Sequence, residues 1–167
     1  PAARFWCWSP DTRAYVARSL FNRAGSGVGP GAVFPTRLAA CAGCAALFER
    51  LGRESGLEAV TISGYAKGFG YKTGGSMAEP NHDWNAVKID GKWQLIDATW
   101  GSAYIRDGAA VKQVNETFFF PPPEQLAFPH LPHDPAWQLG AGPATTKASS
   151  EALQDINPAL SNLGSEP

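Results

Sequence analysis

His82 and Asp97 lie on the two arms of one predicted hairpin. Asp90 and Gly91 separate two β-rich runs, and an Asp-Gly pair in this setting is a strong signal for a two-residue turn. With that turn, His82 and Asp97 share one face as diagonal neighbours, because side chains alternate faces with a period of two. Diagonal neighbours about 7–8 Å apart leave an imidazole and a carboxylate within hydrogen-bonding reach. The spacing therefore predicts two members of a catalytic triad.

The candidate nucleophile is Cys41, which lies in a run of small and apolar residues at helical spacing. The pattern predicts a helix that begins near Cys41 and stops at Gly56. A thiol in the first turns of a helix feels the positive end of the dipole, which lowers its pKa and favours the reactive thiolate. A nearby His82 would lower the pKa further. Cys41, His82 and Asp97 are together suited to attack on a carbonyl carbon.

Three motifs resemble those of the transglutaminase-like cysteine protease superfamily. They are Cys-x-Gly-x-Ala-x-Leu-Phe at Cys41, Asn-His-x-Trp-Asn at residues 81–85 and Leu-Ile-Asp-Ala-Thr-Trp-Gly at residues 95–101. Three motifs in the family's order are more specific than any one of them. The resemblance extends roughly from Trp8 to Leu139 and is closest to the branch of kyphoscoliosis peptidase and hillarin. One departure is Cys44, where the family commonly has an aromatic residue.

The resemblance implies an α+β domain of the papain-like, transglutaminase-core type, in which a helix bearing Cys41 packs on an antiparallel sheet. It implies a triad of Cys41, His82 and Asp97 that acts on a protein or peptide substrate through an acyl-thioester, with no cofactor. The sequence does not choose between hydrolysis, as in a peptidase or amidase, and crosslinking, as in a transglutaminase. The alternative is a non-catalytic scaffold for protein-protein interaction, as in cytokinesis or cytoskeletal proteins.

Aromatic and amide side chains near the motifs are candidates for the substrate cleft. They are Trp84, Trp93, Trp8, Gln94 and Asn81. Trp84 and Trp93 share the predicted face of the His82–Asp97 pair together with Thr99, although large aromatics on a sheet face often supply core instead. The other three are candidates for a second oxyanion donor beside the Cys41 backbone N–H. Trp100 falls on the opposite face and is predicted as core.

Two features of the chain could instead indicate metal or redox chemistry. Cys41 and Cys44 form a CxxC pair, which could be redox-active or half of a zinc site. A zinc site would need further ligands around a helix, and a thioredoxin-like site would need a strand directly before the pair, so we predict no metal. His130 and His133 lie among prolines in a predicted surface segment, where a structural or solvated role is the default.

The composition fits one domain without a charged partner. The chain has 167 residues, with 14 basic and 15 acidic ones and no basic run, which argues against nucleic acid. No stretch reaches the ~18 apolar residues of a membrane helix. Residues 1–140 are predicted to form the transglutaminase-like domain. Residues 141–167 are polar and predicted as a weakly packed tail or the lead into a further module.

The compartment and the remaining strands follow from weaker signals. Three cysteines are too few for a disulfide framework, which favours a reducing compartment such as the cytoplasm. The chain starts without Met, inside what corresponds to the family's first helix, so a processed and secreted form is the alternative. No feature indicates an oligomeric state. Residues 59–65 and 117–120 read as further strands.

Overall fold

The computed structural model describes residues 41–68, 71, 76, 78–106, 109–142 and 145–152. Trp8, one of the predicted cleft residues, lies outside them. In chain order the described elements are α1 (Cys41–Glu54), β1 (Ala59–Ala66), β2 (His82–Ile89), β3 (Lys92–Ile96), β4 (Ala103–Arg106), β5 (Ala109–Lys112), a 3-10 turn (Glu116–Phe118), α2 (Pro123–Leu126), β6 (His130–Pro132), a 3-10 turn (Pro135–Gln138) and α3 (Lys147–Ala152).

Helix α1 ends in a glycine cap. Gly56 has a φ of 79°, a left-handed conformation that glycine adopts without steric cost. Its N–H donates to the Arg53 carbonyl oxygen at 2.9 Å, and the Leu57 N–H donates to the Gly52 carbonyl oxygen at 3.0 Å. These two bonds form a Schellman motif, which satisfies carbonyl groups that the helix leaves open at its end. The predicted stop at Gly56 is confirmed.

The hairpin of β2 and β3 forms with the predicted turn and register. Asp90 and Gly91 both have positive φ values, 50° and 77°, as a type I′ turn requires. Ile89 pairs with Lys92, and the pairing continues as far as Asn85 with Ile96. The register brings the beginning of β2 beside the end of β3.

The larger of the two described sheets is four-stranded and antiparallel, and it carries α1 on one face. The strand order is β3-β2-β1-β6, and each neighbouring pair is antiparallel. On the helix face, Asn85 Nδ2 donates to the Ala45 carbonyl oxygen at 2.9 Å. Helix α1 and strand β1 approach each other closely at Gly52, where an added Cβ would lie 2.9 Å from the Ala59 Cβ. A helix packed on an antiparallel sheet confirms the predicted α+β class.

The other face of the sheet is buried as well. Trp84 of β2 is paired with Ile62 of β1, and both are 1–2% exposed, in a core that includes Leu95 and Phe118. The fully buried Trp84 alone covers an area of the order of 150–250 Å². Both faces of β2 are therefore covered, which places side chains at its beginning inside the protein.

The prediction of a strand at residues 117–120 is wrong. Glu116–Phe118 is a 3-10 turn, and within it the Asn115 side chain accepts a hydrogen bond from the Thr117 N–H at 3.0 Å. This cap turns the backbone away from an extended path. Phe119 alone keeps a β-bridge, to Ile96 at the end of β3.

Residues 145–152 fall in the segment predicted as a tail. Gln138 bonds the backbone of Thr145 at 2.8 Å and 2.7 Å, and Lys67 Nζ donates to the Ser150 carbonyl oxygen at 2.5 Å. Ser150 is buried. The domain boundary at residue 140 stays a prediction.

None of the helices in the described ranges has the length and apolar character that a membrane span requires.

We expect Gly64→Ala to destabilise the domain, because β1 has strands on both sides at this position. A Cβ on Gly64 would overlap the Leu131 carbonyl oxygen and lie 2.5 Å from the Trp84 ring. Overpacking of this kind should lower the free energy of unfolding by about 1–3 kcal/mol. Gly140→Ala is the matched control, since its Cβ would come no closer than 3.7 Å to another side chain. Equal urea midpoints for the two variants would contradict this packing.

Candidate active site

His82 and Asp97 meet at the end of the hairpin. His82 is the first residue of β2, and Asp97 directly follows β3. His82 Nε2 lies 2.6 Å from Asp97 Oδ2, and the two residues are 6% and 0% exposed. The predicted hydrogen bond between the two side chains is present. At this depth the bond is shielded from water, which strengthens its electrostatic part.

The Asp97 carboxylate begins the turn that follows β3. Its Oδ1 accepts from the backbone N–H groups of Thr99 and Trp100, both at 2.9 Å. Burial raises the pKa of this carboxyl, but the charge of His82 and the hydrogen bonds from His130 and His82 outweigh that and hold the pKa well below its usual range. Asp97 is therefore an anion at neutral pH.

The Cys41 thiol interacts with the His82 imidazole. Burial raises the pKa of Cys41, but the hydrogen bond and charge of His82 and the Asp83 backbone N–H lower it more, so the net pKa falls below its ordinary value. His82 Nε2 is engaged by Asp97. Nδ1 is therefore the ring nitrogen left to interact with Cys41.

The surroundings of His82 favour its protonated form. Burial lowers the pKa of His82, but the charge of Asp97, its hydrogen bond and the contact with Cys41 raise the pKa to about 10. These directions favour an imidazolium beside the Asp97 carboxylate and a more acidic thiol at Cys41. This arrangement can deliver a nucleophile without first removing a proton from a thiol.

Trp100 packs beside the imidazole, and its predicted place on the opposite face is wrong. Its ring centroid lies 5.3 Å from that of His82 and 4.5 Å from that of His130. The prediction continued the strand alternation past Asp97, whereas the Asp97 carboxylate caps a turn over the next residues. Thr99, predicted on the same strand face as His82 and Asp97, lies in the same turn.

His130 is a site residue that the sequence did not indicate. It lies in β6, where Ala66 of β1 pairs with it, and is 2% exposed rather than on the surface. His130 Nε2 lies 2.9 Å from Asp97 Oδ2, the oxygen that also bonds His82. The neighbouring apolar residue Leu131 is the signal in the sequence that could have indicated burial of His130. His133 is exposed, as predicted.

Trp84 is the described cleft candidate that contacts the imidazole. It is 1% exposed, and its ring stacks on that of His82 with the centroids 6.1 Å apart. Trp93 is half-buried and packs edge-on against Trp137, with centroids 5.1 Å apart. The structure thus places Trp84 beneath the imidazole, and the roles of both tryptophans in the cleft stay predictions.

The two amide candidates lie at different places on the sheet. Asn81 holds the end of β1, since its side chain accepts from the Ala66 N–H at 2.7 Å and donates to the Ala66 carbonyl oxygen at 3.1 Å. Gln94 pairs with Val87, and alternation puts it on the other face of β3 from Trp93. Their use as oxyanion donors stays a prediction.

Three of the buried side chains have the chemistry of metal ligands. The ligand atoms of His82, Asp97 and His130 all lie within 4.8 Å of one another. Asp97 Oδ2 is 2.6 Å and 2.9 Å from the two imidazole nitrogens. Two atoms bound to one zinc at 2.0–2.1 Å would lie roughly 3.3 Å apart. The spacing fits direct hydrogen bonds better than shared coordination, and the absence of a metal stays a prediction.

The model of the transglutaminase-like superfamily matches residues 11–98, a range that contains Cys41, His82 and Asp97. The chain belongs to this superfamily. The helix and antiparallel sheet described above are accordingly the papain-like core that the resemblance predicted.

Relatives within the superfamily confirm the predicted branch. The chain is 36% identical to mouse (Mus musculus) kyphoscoliosis peptidase over 152 residues, which is 89% of this chain and 23% of the relative. It is 36% identical to the human (Homo sapiens) protein of that name over 138 residues, 80% of this chain and 21% of the relative. Hillarin of Drosophila melanogaster is 26% identical over 115 residues, 60% of this chain and 14% of hillarin. The chain thus spans less than a quarter of these relatives.

We expect Cys44→Ala to leave the superfamily fold and the reactivity of Cys41 intact. Burial of its thiol, and the charges of Asp97 and Cys41, raise the pKa of Cys44 to about 12 against a lowering by the Thr99 hydroxyl. Cys44 is thus a neutral packing residue. The alkylation rate of Cys41 should change less than about threefold, and metal analysis should find no stoichiometric zinc. One zinc per chain that is lost with Cys44 would refute this assignment.

Proposed function

We propose that this domain carries out cysteine-dependent amide chemistry through an acyl-thioester. Cys41 is the nucleophile, His82 is the general acid and base, and Asp97 orients the imidazole. The observation that carries the proposal is the buried hydrogen bond of 2.6 Å between His82 and Asp97, with His82 also acting on the Cys41 thiol to lower its pKa. The pKa of Cys41 is lowered by His82 and that of His82 is raised by Asp97, which are the directions that this chemistry needs.

The first half of the reaction forms the thioester. The Cys41 thiolate attacks the carbonyl carbon of the amide, so that a carbon–sulfur bond forms and the carbonyl oxygen becomes an oxyanion. His82, which is protonated on Nδ1 facing the sulfur, gives that proton to the leaving nitrogen. The carbon–nitrogen bond then breaks, and an amine or ammonia departs. The acyl group remains on Cys41.

The second half divides hydrolysis from crosslinking. Neutral His82 takes a proton from the incoming nucleophile, which attacks the thioester carbonyl and releases the Cys41 thiolate. Water as the nucleophile yields a peptidase or amidase, and a lysine amine yields a transglutaminase. The proposed substrate is a protein or peptide in both cases.

The Cys41 backbone N–H is one proposed donor to the oxyanion. A second donor is still required, and Trp8, Gln94 and Asn81 are the candidates. The amide of Asn81 is engaged by the Ala66 backbone, so it would have to exchange these bonds to serve the oxyanion. Gln94 is half-buried on β3.

The test is incubation with a glutamine peptide and a labelled primary amine. Incorporation of label indicates transamidation, and release of ammonia without label indicates hydrolysis. Cys41→Ala should abolish both products, whereas Cys44→Ala, the same substitution three positions further along α1, should retain them. Absence of both products with a panel of peptides, together with slow alkylation of Cys41, would favour the non-catalytic scaffold.

A further inference from the structure

One oxygen of Asp97 accepts hydrogen bonds from two histidines. Its Oδ2 lies 2.6 Å from His82 Nε2 and 2.9 Å from His130 Nε2. The other oxygen, Oδ1, accepts hydrogen bonds from two backbone N–H groups at 2.9 Å. The buried carboxylate therefore has four donors, as an anion without water needs. The chemistry proposed above uses His82 and gives no role to His130.

The two imidazoles differ in protonation. Burial lowers the pKa of His130, as does the charge of His82, and together they outweigh the hydrogen bond and charge of Asp97, which raise it. His130 Nδ1 is buried without a hydrogen-bond partner among the described residues. A neutral ring with its proton on Nε2 has only a lone pair at Nδ1, whereas an imidazolium would bury an unpaired N–H at Nδ1. His130 thus donates a hydrogen bond without adding a second positive charge.

His130 is fixed by its neighbours and sealed from solvent. Its ring lies 5.0 Å from that of Trp84, 4.5 Å from that of Trp100 and 6.1 Å from that of Phe118, centroid to centroid. Its backbone is paired with Ala66 of β1. At 2% exposure the side chain cannot touch a substrate. Any effect of His130 on chemistry must pass through Asp97.

We propose that His130 is a positioning residue for the triad: its Nε2–H holds Oδ2 of Asp97 toward His82 and keeps that oxygen too weakly basic to take the imidazolium proton. The inference rests on the proposed function, because the orientation of Asp97 matters to catalysis only if Cys41 is the nucleophile. Two donors share one acceptor, so each draws electron density from it, and the proton between His82 and Asp97 stays on the nitrogen.

The loss of this donor has a defined effect on pH dependence. The hydrogen bond from His130 is one of the causes that lower the pKa of Asp97. Without it Asp97 would become protonated at a higher pH, and His82 would lose the charge that keeps it an imidazolium. The acid limb of Cys41 reactivity should therefore move to higher pH. His82 and Asp97 are the titratable groups that act on His130, with Cys41 and Cys44 one step further along the network.

The experiment compares His130→Phe with His130→Gln. Phenylalanine keeps a ring of similar size without a donor, and glutamine places an amide N–H near the position of Nε2. The rate of Cys41 alkylation is measured from about pH 4 to about pH 9. We expect the acid limb of His130→Phe to lie at higher pH, so that this variant is about tenfold slower or more near pH 4, and His130→Gln to stay within about threefold of wild type across the range. Unchanged rates in both variants, or equal slowing of both with native circular dichroism, would overturn the proposal.

A measurement on the unaltered protein covers the case in which His130→Phe does not fold. Nitrogen NMR of the imidazoles should show His130 as the neutral Nε2–H tautomer from about pH 5 to about pH 8. A doubly protonated His130 in that range would refute the proposal. These readouts also separate it from the proposed function. If the protein shows no amide turnover but the labelling of Cys41 still depends on His130, the proposed function is refuted and the role of His130 stands. If amide turnover is present but does not depend on His130, the role of His130 is refuted and the proposed function stands.

Discussion

At pH 6, iodoacetamide should alkylate Cys41 at least ~100-fold faster than Cys44. An ordinary thiol with a pKa near 8.5 is well under ~1% thiolate at that pH, and a lowered pKa raises the thiolate fraction and with it the alkylation rate. The pKa of Cys41 is lowered by His82, while that of Cys44 is raised to about 12 by burial. Cys7 provides a third thiol in the same experiment and should also react more slowly than Cys41.

His82→Ala isolates the cause of this reactivity. The variant removes the hydrogen bond and the charge that lower the Cys41 pKa and leaves its burial, which raises it. Alkylation at pH 6 should slow by about 100-fold, and the rate should rise with pH but stay below that of the wild type at pH 9. Mass-spectrometric mapping of the alkylated cysteines from about pH 5 to about pH 9 measures both effects. Equal, slow labelling of all three cysteines, unchanged by His82→Ala, would support the scaffold instead of the enzyme.

Asp97→Asn should reduce amide turnover by about 10³–10⁴-fold. The substitution removes the negative charge that raises the pKa of His82 to about 10. The His82 imidazolium beside Cys41 is therefore lost at a lower pH than in the wild type. An amide N–H can also replace the carboxylate oxygen opposite Nε2, which favours the wrong tautomer. The side chain keeps its volume, so the packing around it is retained.

Asp83→Asn is the matched control for this substitution. Asp83 is also an aspartate next to a triad member, but its charge raises the pKa of Cys41. Its removal should therefore leave Cys41 as reactive as before or slightly more so. Single-turnover rates and circular dichroism of both variants measure chemistry and folding separately. A loss of activity in Asp83→Asn as large as in Asp97→Asn would contradict the assigned roles.

The part of the site that depends on local chemistry could be predicted from the sequence. Asp90 and Gly91 specify a type I′ turn through their tolerance of positive φ, and this turn sets the register of β2 and β3. The register alone brings His82 beside Asp97. The stop of α1 at Gly56 is equally local, since it needs only a residue that accepts a left-handed conformation.

The remainder depends on contacts between segments that are distant in sequence or on side chains that cap the backbone. Trp100 reaches His82 because the Asp97 carboxylate binds two backbone N–H groups and ends the strand. Hydrophobic periodicity carries no information about such a cap. His130 reaches Asp97 because β6 pairs with β1, and a strand as short as His130–Pro132 leaves little pattern to detect.

Cys41 is proposed to carry the acyl group of the substrate, and this group can be trapped on the sulfur. The protein is mixed with a glutamine peptide, quenched in acid at short times and digested for mass spectrometry. We expect a thioester of the peptide on Cys41, absent from Cys41→Ala and from Cys44 in every sample. Release of ammonia or of a cleaved peptide with Cys41 unmodified at all times, or equal release by Cys41→Ala, would contradict it.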